Sequence, residues 1–327
     1  MTTSGTVATT RIDNSALIEH ALRRCRVLPS AQTPETTLIA RECLYMLLLN
    51  LGNRGLNLWA VEKTYLGLKA GPPTYETAEG TLDVLNAVFV QPTCASGTFA
   101  ATATGGSIQL DSASAGTRVG VKFSTVYTGA LTLATSDDGV TYSTVNTVAS
   151  NTYGVDKYYW FDLDVAASKL YYGVFGFVPL PTISDIKVVT YSYDLPMTQW
   201  NRDTYSTMNN KMQMSRPSVS YFFEKKLTPR LTLWPVPNND TDHLMLFVHR
   251  QPQDVGSLGN QLEIPQRWLD GIIWLLAARL CFEIPTVDPS IAQLIVQMAD
   301  KQVFEAEQSE TDGAPIYITP GIGVYSR

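Results

Sequence analysis

Hydrophobic positions recur at helical spacing near both ends of the chain and at strand spacing through its middle. Leu17, Ile18, Ala21, Leu22 and Cys25 share one face of a helix that Asn14 can cap and Pro29 ends. Thr33, Pro34 and Glu35 read as a second helix start, with proline in the first turn and an acid beside it, leading through RECLYMLLLNL to Gly52 and Gly55. From Leu58 the period drops to that of strands, broken at Gly71-Pro72-Pro73 and at Glu79-Gly80. Between residues 92 and 195 the chain becomes rich in Thr, Ser, Gly and Tyr and holds no helical stripe. Segments such as RVGVKFSTV, ALTLATS, KYYWFDLDV and KLYYGVFGF, with a turn signal at Asp138-Gly139, predict a β-sandwich bracketed by Pro92 and Pro196.

Helical spacing returns over Thr198 to Met212, followed by strands through YFFEKKLTPRLTLWPVPNNDTDHLMLFVHR. Ile264-Pro265 then opens an apolar helix with Leu269, Ile272, Ile273, Leu276 and Leu280 toward the core and Trp268 and Leu275 widening the stripe. Asp288-Pro289 starts the last helix, striped by Ile291, Leu294, Ile295 and Met298. The pattern predicts an α+β fold, a helical bundle with a small antiparallel sheet, interrupted by an all-β, jelly-roll-like sandwich insertion. Its expected parts are a core formed by residues 1–91 and 196–310, the insert at 92–195, and an extended C-terminal arm at 311–327.

Composition narrows the function classes. A net charge of −6 with no basic run lacks the electrostatic footprint of a tight nucleic-acid binder. Charged residues make up only 17% of the chain, which favours additional buried surface, inside the protein or against other subunits. The N-terminal MTTSGTVATTRIDNS has no apolar leader segment, and the longest apolar run, Gly271 to Ala278, is far shorter than the ~20 residues that span a bilayer. Cys25, Cys43, Cys94 and Cys281 show no C-x-x-C spacing, and free thiols are the expectation.

Catalytic chemistry has little to stand on. His243 and His249 lie six residues apart on one predicted strand, roughly 20 Å at strand rise, too far to share a metal. Asp162 and Asp164 share a strand face, close enough to suggest acid–base or calcium chemistry, but the alternating exposure of a solvated strand face explains them without chemistry and is the favoured reading. No metalloprotease, serine-hydrolase or nucleotide-binding motif occurs. No cofactor and no enzymatic activity are therefore expected. The aromatic residues of the insert stand out: filling between two sheets is the favoured reading of such a cluster, and Tyr158, Trp160 and Tyr172 are the candidate surface rings for stacking sugars.

Taken together, the flanks carry an ordered set of words: LNLWAVEKTYLGLKAGPPTYETAEGTLDVLNAVFV, then TYSTMNNKMQMSRPSVSYFFEKKLTPRLTLWPVPNNDTDHLMLFV, then LEIPQRWLDGIIWLLAARL. This set resembles the head-to-tail adaptors of short-tailed bacteriophages, called tail tubular protein A or packaged-DNA stabilisation protein. It departs from that pattern at Glu76-Thr77-Ala78, where a leucine-proline pair is more usual, and in the long insert. The resemblance implies a virion protein of the neck and tail, made in the host cytoplasm. It would form a homo-oligomeric ring of roughly twelve subunits between the portal protein and the tail nozzle protein. Packaged DNA would lie in its channel without sequence-specific contact, held before ejection and passed during it. Ile316, Tyr317, Ile318, Val324 and Tyr325 are the candidate arm residues for the portal or a neighbouring subunit. The alternative expectation is a carbohydrate-binding decoration protein of the virion that acts through the insert.

Overall fold

The computed structural model describes residues 12–27, 32–53, 58–155, 157–163, 167–177, 180–284 and 287–309. The chain divides into two compact units, residues 1–60 with 251–327, and residues 61–250. Three sheets, of six, five and four strands, dominate the described residues. This overturns the expected fold class, because strands outweigh helices and the helical bundle is not the frame of the molecule. The expectation gave too little weight to strands in both flanks that join strands of the insert in one sheet.

The first unit is helical, with α1 (Asn14–Arg24), α2 (Pro34–Asn53), α4 (Gln266–Glu283) and α5 (Pro289–Gln308). Thr33 caps α2 by accepting from the Thr36 N–H at 3.2 Å, and Asp288 caps α5 by accepting from the Ser290 N–H. Asn14 does not cap α1. It is fully buried at the first helical position, and its Nδ2 donates to the Val255 and Ser257 carbonyls at 2.6 and 3.1 Å. Trp268, Ile272, Ile273, Leu276 and Leu280 of α4 pack with Leu17, Leu22, Leu44 and Leu48 in one core, each full burial contributing about 1.5–3 kcal/mol. On α5 the buried stripe is Ile295, Ala299, Val303 and Ala306, while Leu294 faces outward. Helical spacing admits both stripes, and packing against α4 selects the one with small residues, where the two axes approach closely.

The second unit is built on a six-stranded sheet, ordered β1-β15-β3-β11-β6-β9. Its strands are β1 (Val61–Gly67), β3 (Thr81–Cys94), β6 (Arg118–Phe123), β9 (Tyr158–Asp162), β11 (Ile183–Pro196) and β15 (His243–Arg250). The five-stranded sheet holds β4 (Gly97–Thr102), β5 (Gly105–Ser114), β7 (Tyr127–Ser136), β8 (Ser143–Tyr153) and β10 (Lys169–Gly176). It packs on β6 and β11 through Ile108, Leu133, Val174, Val121, Ile186 and Val188, giving the expected sandwich. The four-stranded sheet holds β2 (Thr74–Glu76), β12 (Thr198–Trp200), β13 (Ser220–Glu224) and β14 (Arg230–Trp234). It packs through Tyr75, Tyr221, Phe223, Leu231 and Leu233 against Val84, Phe89, Leu244 and Leu246. The helix predicted from Thr198 to Met212 shrinks to α3 (Arg202–Thr207), since Thr198–Trp200 pairs in parallel with β13.

Pro92 and Pro196 do not break their strands. They lie inside β3 and β11, which pair antiparallel from Cys94 opposite Val189 to Val88 opposite Pro196. Pairing of β15 with β3 stops at Val90, and pairing of β6 with β11 stops at Val189. Each proline therefore sits where its strand has a hydrogen-bonded neighbour on one side only, so the missing N–H leaves no ladder bond broken.

Candidate functional site

The sheet's two edges, β1 and β9, come together, so one face of the six-stranded sheet curls onto itself. Inside the curl Trp160 lies over Gly120, where a Cβ would strike the indole ring, and stacks on His243 with centroids 4.4 Å apart and planes 21° apart. Arg118 Nη1 donates to His243 Nε2 at 3.0 Å. A guanidinium has no lone pair to offer, so Nε2 accepts and the histidine is the neutral Nδ1–H tautomer. Tyr65 meets His243 edge-on at 5.6 Å and donates its hydroxyl to Asp162 at 2.7 Å. Lys63 and Arg118 also bind Asp162, at 2.9 and 3.5 Å. Residues of β1, β6, β9 and β15 are thereby tied to one another.

The cluster is cohesive and not poised for proton transfer. Burial, reinforced by the Arg118 charge, drops the His243 pKa to about 3, so the ring stays neutral throughout the physiological range. The unfolded chain protonates this histidine near 6.5, so its contribution to stability is complete above that pH and is lost as pH falls toward 3. Asp242, whose carboxyl burial raises, contributes in the opposite sense. The comparison that isolates the histidine is therefore His243→Asn against the native chain. Between pH 6.5 and 5 the native chain is expected to lose about 2 kcal/mol relative to the variant in urea unfolding, and parallel pH profiles would refute the assignment.

Tyr158 and Trp160 face this curl and Tyr172 faces the sandwich core, with exposures of 7%, 3% and 1%. None of these three candidate sugar-stacking rings is on the surface. Tyr172 donates its hydroxyl to the Ser114 carbonyl and accepts from the Gly116 N–H, as a structural tyrosine does. Exposed rings of the second unit include Phe177, at 66%, and Tyr191 and Tyr193 on β11, at 65% and 56%. The cross-strand partners of the two tyrosines are Thr93 and Gln91. Register shifts between Val189 and Tyr191, and this bulge turns the two tyrosines away from the buried face that Val189 occupies. The alternation of the segment was readable in the sequence, but the bulge that inverts its parity was not.

Asp162 belongs to the ion-pair cluster, whereas Asp164 lies outside the described residues. His249 is buried on β15, where burial lowers its pKa. Asp138 and Gly139 form the expected turn, with Gly139 at φ 75° and the Asp138 carboxylate accepting from the Val140 and Thr141 N–H groups at 2.9 Å. Among the described residues no group of His, Cys, Asp and Glu has the arrangement of a metal site, and no helix is long and apolar enough to cross a membrane. The arm residues Ile316, Tyr317, Ile318, Val324 and Tyr325 lie outside the described residues.

The helical unit exposes large apolar side chains: Leu38, Tyr45 and Met46 on α2, Phe282 on α4, and Leu294 and Phe304 on α5. A groove of about 220 Å³ runs among these three helices, walled by Leu47, Leu51, Leu275, Phe282 and Val296, with Arg279 and Asp300 at its lining. On the second unit, an open pocket of about 500 Å³ combines Trp200 and Phe222 with Arg202, Lys225 and Lys226. Lys225 is already paired with Asp83, and Lys226 with Glu224.

No family model matches the chain, and no curated protein matches it. Among the solved structures, one similar chain is described as "CBM32 of AlyQ in complex with 4,5-unsaturated mannuronic acid". It matches at 13% identity and a TM-score of 0.22, covering 38% of this chain and 99% of that chain.

Proposed function

We propose that this chain is a non-enzymatic structural subunit that assembles with copies of itself, as a head-to-tail adaptor in the neck of a tailed phage virion. The observation that carries the reading is the apolar surface of the helical unit. Phe282 is 80% exposed and Phe304 60%, on two of the three helices that wall the apolar groove. Solvent-facing apolar residues gathered beside a groove favour burial against another protein surface. The ordered words of the flanks, which run along β1 to β3, β13 to β15 and α4, support the adaptor in particular. In this reading the subunits form a ring of roughly twelve that meets the portal protein on one side and the tail nozzle protein on the other. The net charge of −6 suits a channel that must release DNA, because a strongly basic lumen would retain the duplex through counterion release.

Native mass measurement of the purified chain, alone and with a portal protein, is the test. The expected result is a closed ring, and a monomer under every condition would sink the reading. Replacing Phe282 and Phe304 together by Asp should weaken self-association at least tenfold, since interface aromatics carry about 2 kcal/mol or more each. Circular dichroism should be unchanged, because both side chains are already in solvent.

A second reading, carbohydrate binding through the β-rich unit, is favoured by Tyr191 and Tyr193. Two exposed rings at alternate positions of one strand, with Thr93 and Gln91 beside them, offer stacking faces and hydrogen-bonding groups for a sugar. A glycan array probed with the native chain and with the Tyr191→Ala, Tyr193→Ala double variant separates the readings. Binding that disappears in the variant supports this one, and a blank array for the native chain removes it.

A further inference from the structure

Two of the four cysteines meet in the helical unit. Cys25, the C-terminal cap of α1, places its sulfur 3.8 Å from that of Cys281 on α4. Cys25 Sγ also donates to the Ala277 carbonyl at 3.3 Å, so it sits against the single helical turn that ends at Cys281. Cys25 is 3% exposed, whereas Cys281 is partly open to solvent. Two thiols in van der Waals contact, one shielded and one reachable, form the arrangement in which a reagent enters at one sulfur and the other resolves it. Closing from 3.8 Å to the ~2.05 Å of a disulfide brings the sulfurs together at the expense of the Ala277 contact.

We propose that Cys25 and Cys281 are a redox-modification site, dithiol in a reducing compartment and closed to a disulfide by low-molecular-weight disulfides outside it, stapling the end of α1 to α4. The Cys281 thiolate attacks one sulfur of the small disulfide, forms a mixed disulfide and expels one thiolate. The Cys25 thiol then loses its proton to that thiolate, and its sulfur attacks Cys281 Sγ and displaces the second thiolate. Two protein thiols are oxidised and one reagent disulfide is reduced to two thiols. Burial pushes the Cys25 thiol up to about 12 and raises that of Cys281, so closure runs slowly, on the order of hours at neutral pH. The staple joins residues from opposite ends of the sequence and closes a loop that contains the whole 61–250 unit, where the restriction of the unfolded chain is large. The inference is independent of whether the chain forms a ring.

Oxidised glutathione added to the full, reduced chain is the probe, read by intact mass, by alkylation of the remaining thiols and by peptide mapping. The expected product is lighter by two hydrogen atoms and carries no glutathione. Cys25 and Cys281 should be joined and Cys43 and Cys94 still alkylatable. Its melting temperature should be several degrees higher, and dithiothreitol should reverse the shift. In Cys25→Ser the reaction should stop at one glutathione on Cys281. The proposal is overturned if the native chain itself stops at that adduct with Cys25 alkylatable, if a different pair joins, or if all four thiols survive. The native chain's own oxidation and reduction cycle decides the matter even if the variant fails to fold.

Discussion

Gly67→Ala is expected to destabilise the 61–250 unit by about 3 kcal/mol or more, the upper end for overpacking. Gly67 ends β1 exactly where the two edges of the six-stranded sheet touch, and a Cβ there would fall onto the Tyr158 carbonyl oxygen of β9. The obstacle is backbone, which cannot swing aside as a side chain can. Opening the contact would also loosen Lys63 and Tyr65 of β1 from Asp162 of β9. Hydrogen exchange should therefore accelerate in β1 and β9 while the outer strands of the sandwich, β4 and β8, keep their protection. Gly259→Ala, where a Cβ meets nothing within 4 Å, is the control and should change stability by no more than about 0.5 kcal/mol. Equal effects of the two substitutions would show that the edges do not meet.

Arg216→Met should be comparably damaging, at about 3 kcal/mol. Asp242 is 1% exposed, and both its oxygens accept from Arg216, at 2.8 and 2.7 Å. Burial raises the Asp242 carboxyl above its usual range even with the guanidinium bound, so removing the arginine leaves a buried carboxylate that must take up a proton or draw in water. The arginine is 37% exposed and contributes less than a fully buried partner would. The double variant Arg216→Met, Asp242→Leu separates the pair's net worth from the cost of orphaning one member. It should recover most of the lost stability in urea unfolding. A double variant as unstable as the single one would mean that the arginine acts through its aliphatic packing.

Local signals carried much of the secondary structure. The cap-and-proline starts at Thr33-Pro34 and Asp288-Pro289 open the observed helices, and the apolar face of α4 is buried largely as its spacing requires. Asp138-Gly139 turns the chain between β7 and β8 as its residue types demand. These are decisions among near neighbours, where a side-chain oxygen, a pyrrolidine ring or a positive φ acts within a few residues. The candidate site was less legible. Aromatic content drew attention to β9 and β10, yet the rings chosen there for the surface, Tyr158, Trp160 and Tyr172, are buried, and the exposed pair on β11 was passed over.

By itself the sequence determined the helix starts at Thr33-Pro34 and Asp288-Pro289, the Asp138-Gly139 turn and the presence of a β-sandwich, and it holds no recognisable catalytic motif. Only the tertiary structure decided that flank and insert strands share one sheet, that its edges meet over Gly67, and that α5 buries Ile295 and Ala299 with Leu294 outside. It alone brought Arg118 onto His243 and Cys25 onto Cys281, and set the parity of Tyr191 and Tyr193 through a single bulge. The reason is the range of the interactions. A cap or a turn is settled by residues a few positions apart, whereas strand register and edge closure depend on partners far away along the chain. A one-residue slip in such a register exchanges the buried and exposed faces without changing the local pattern.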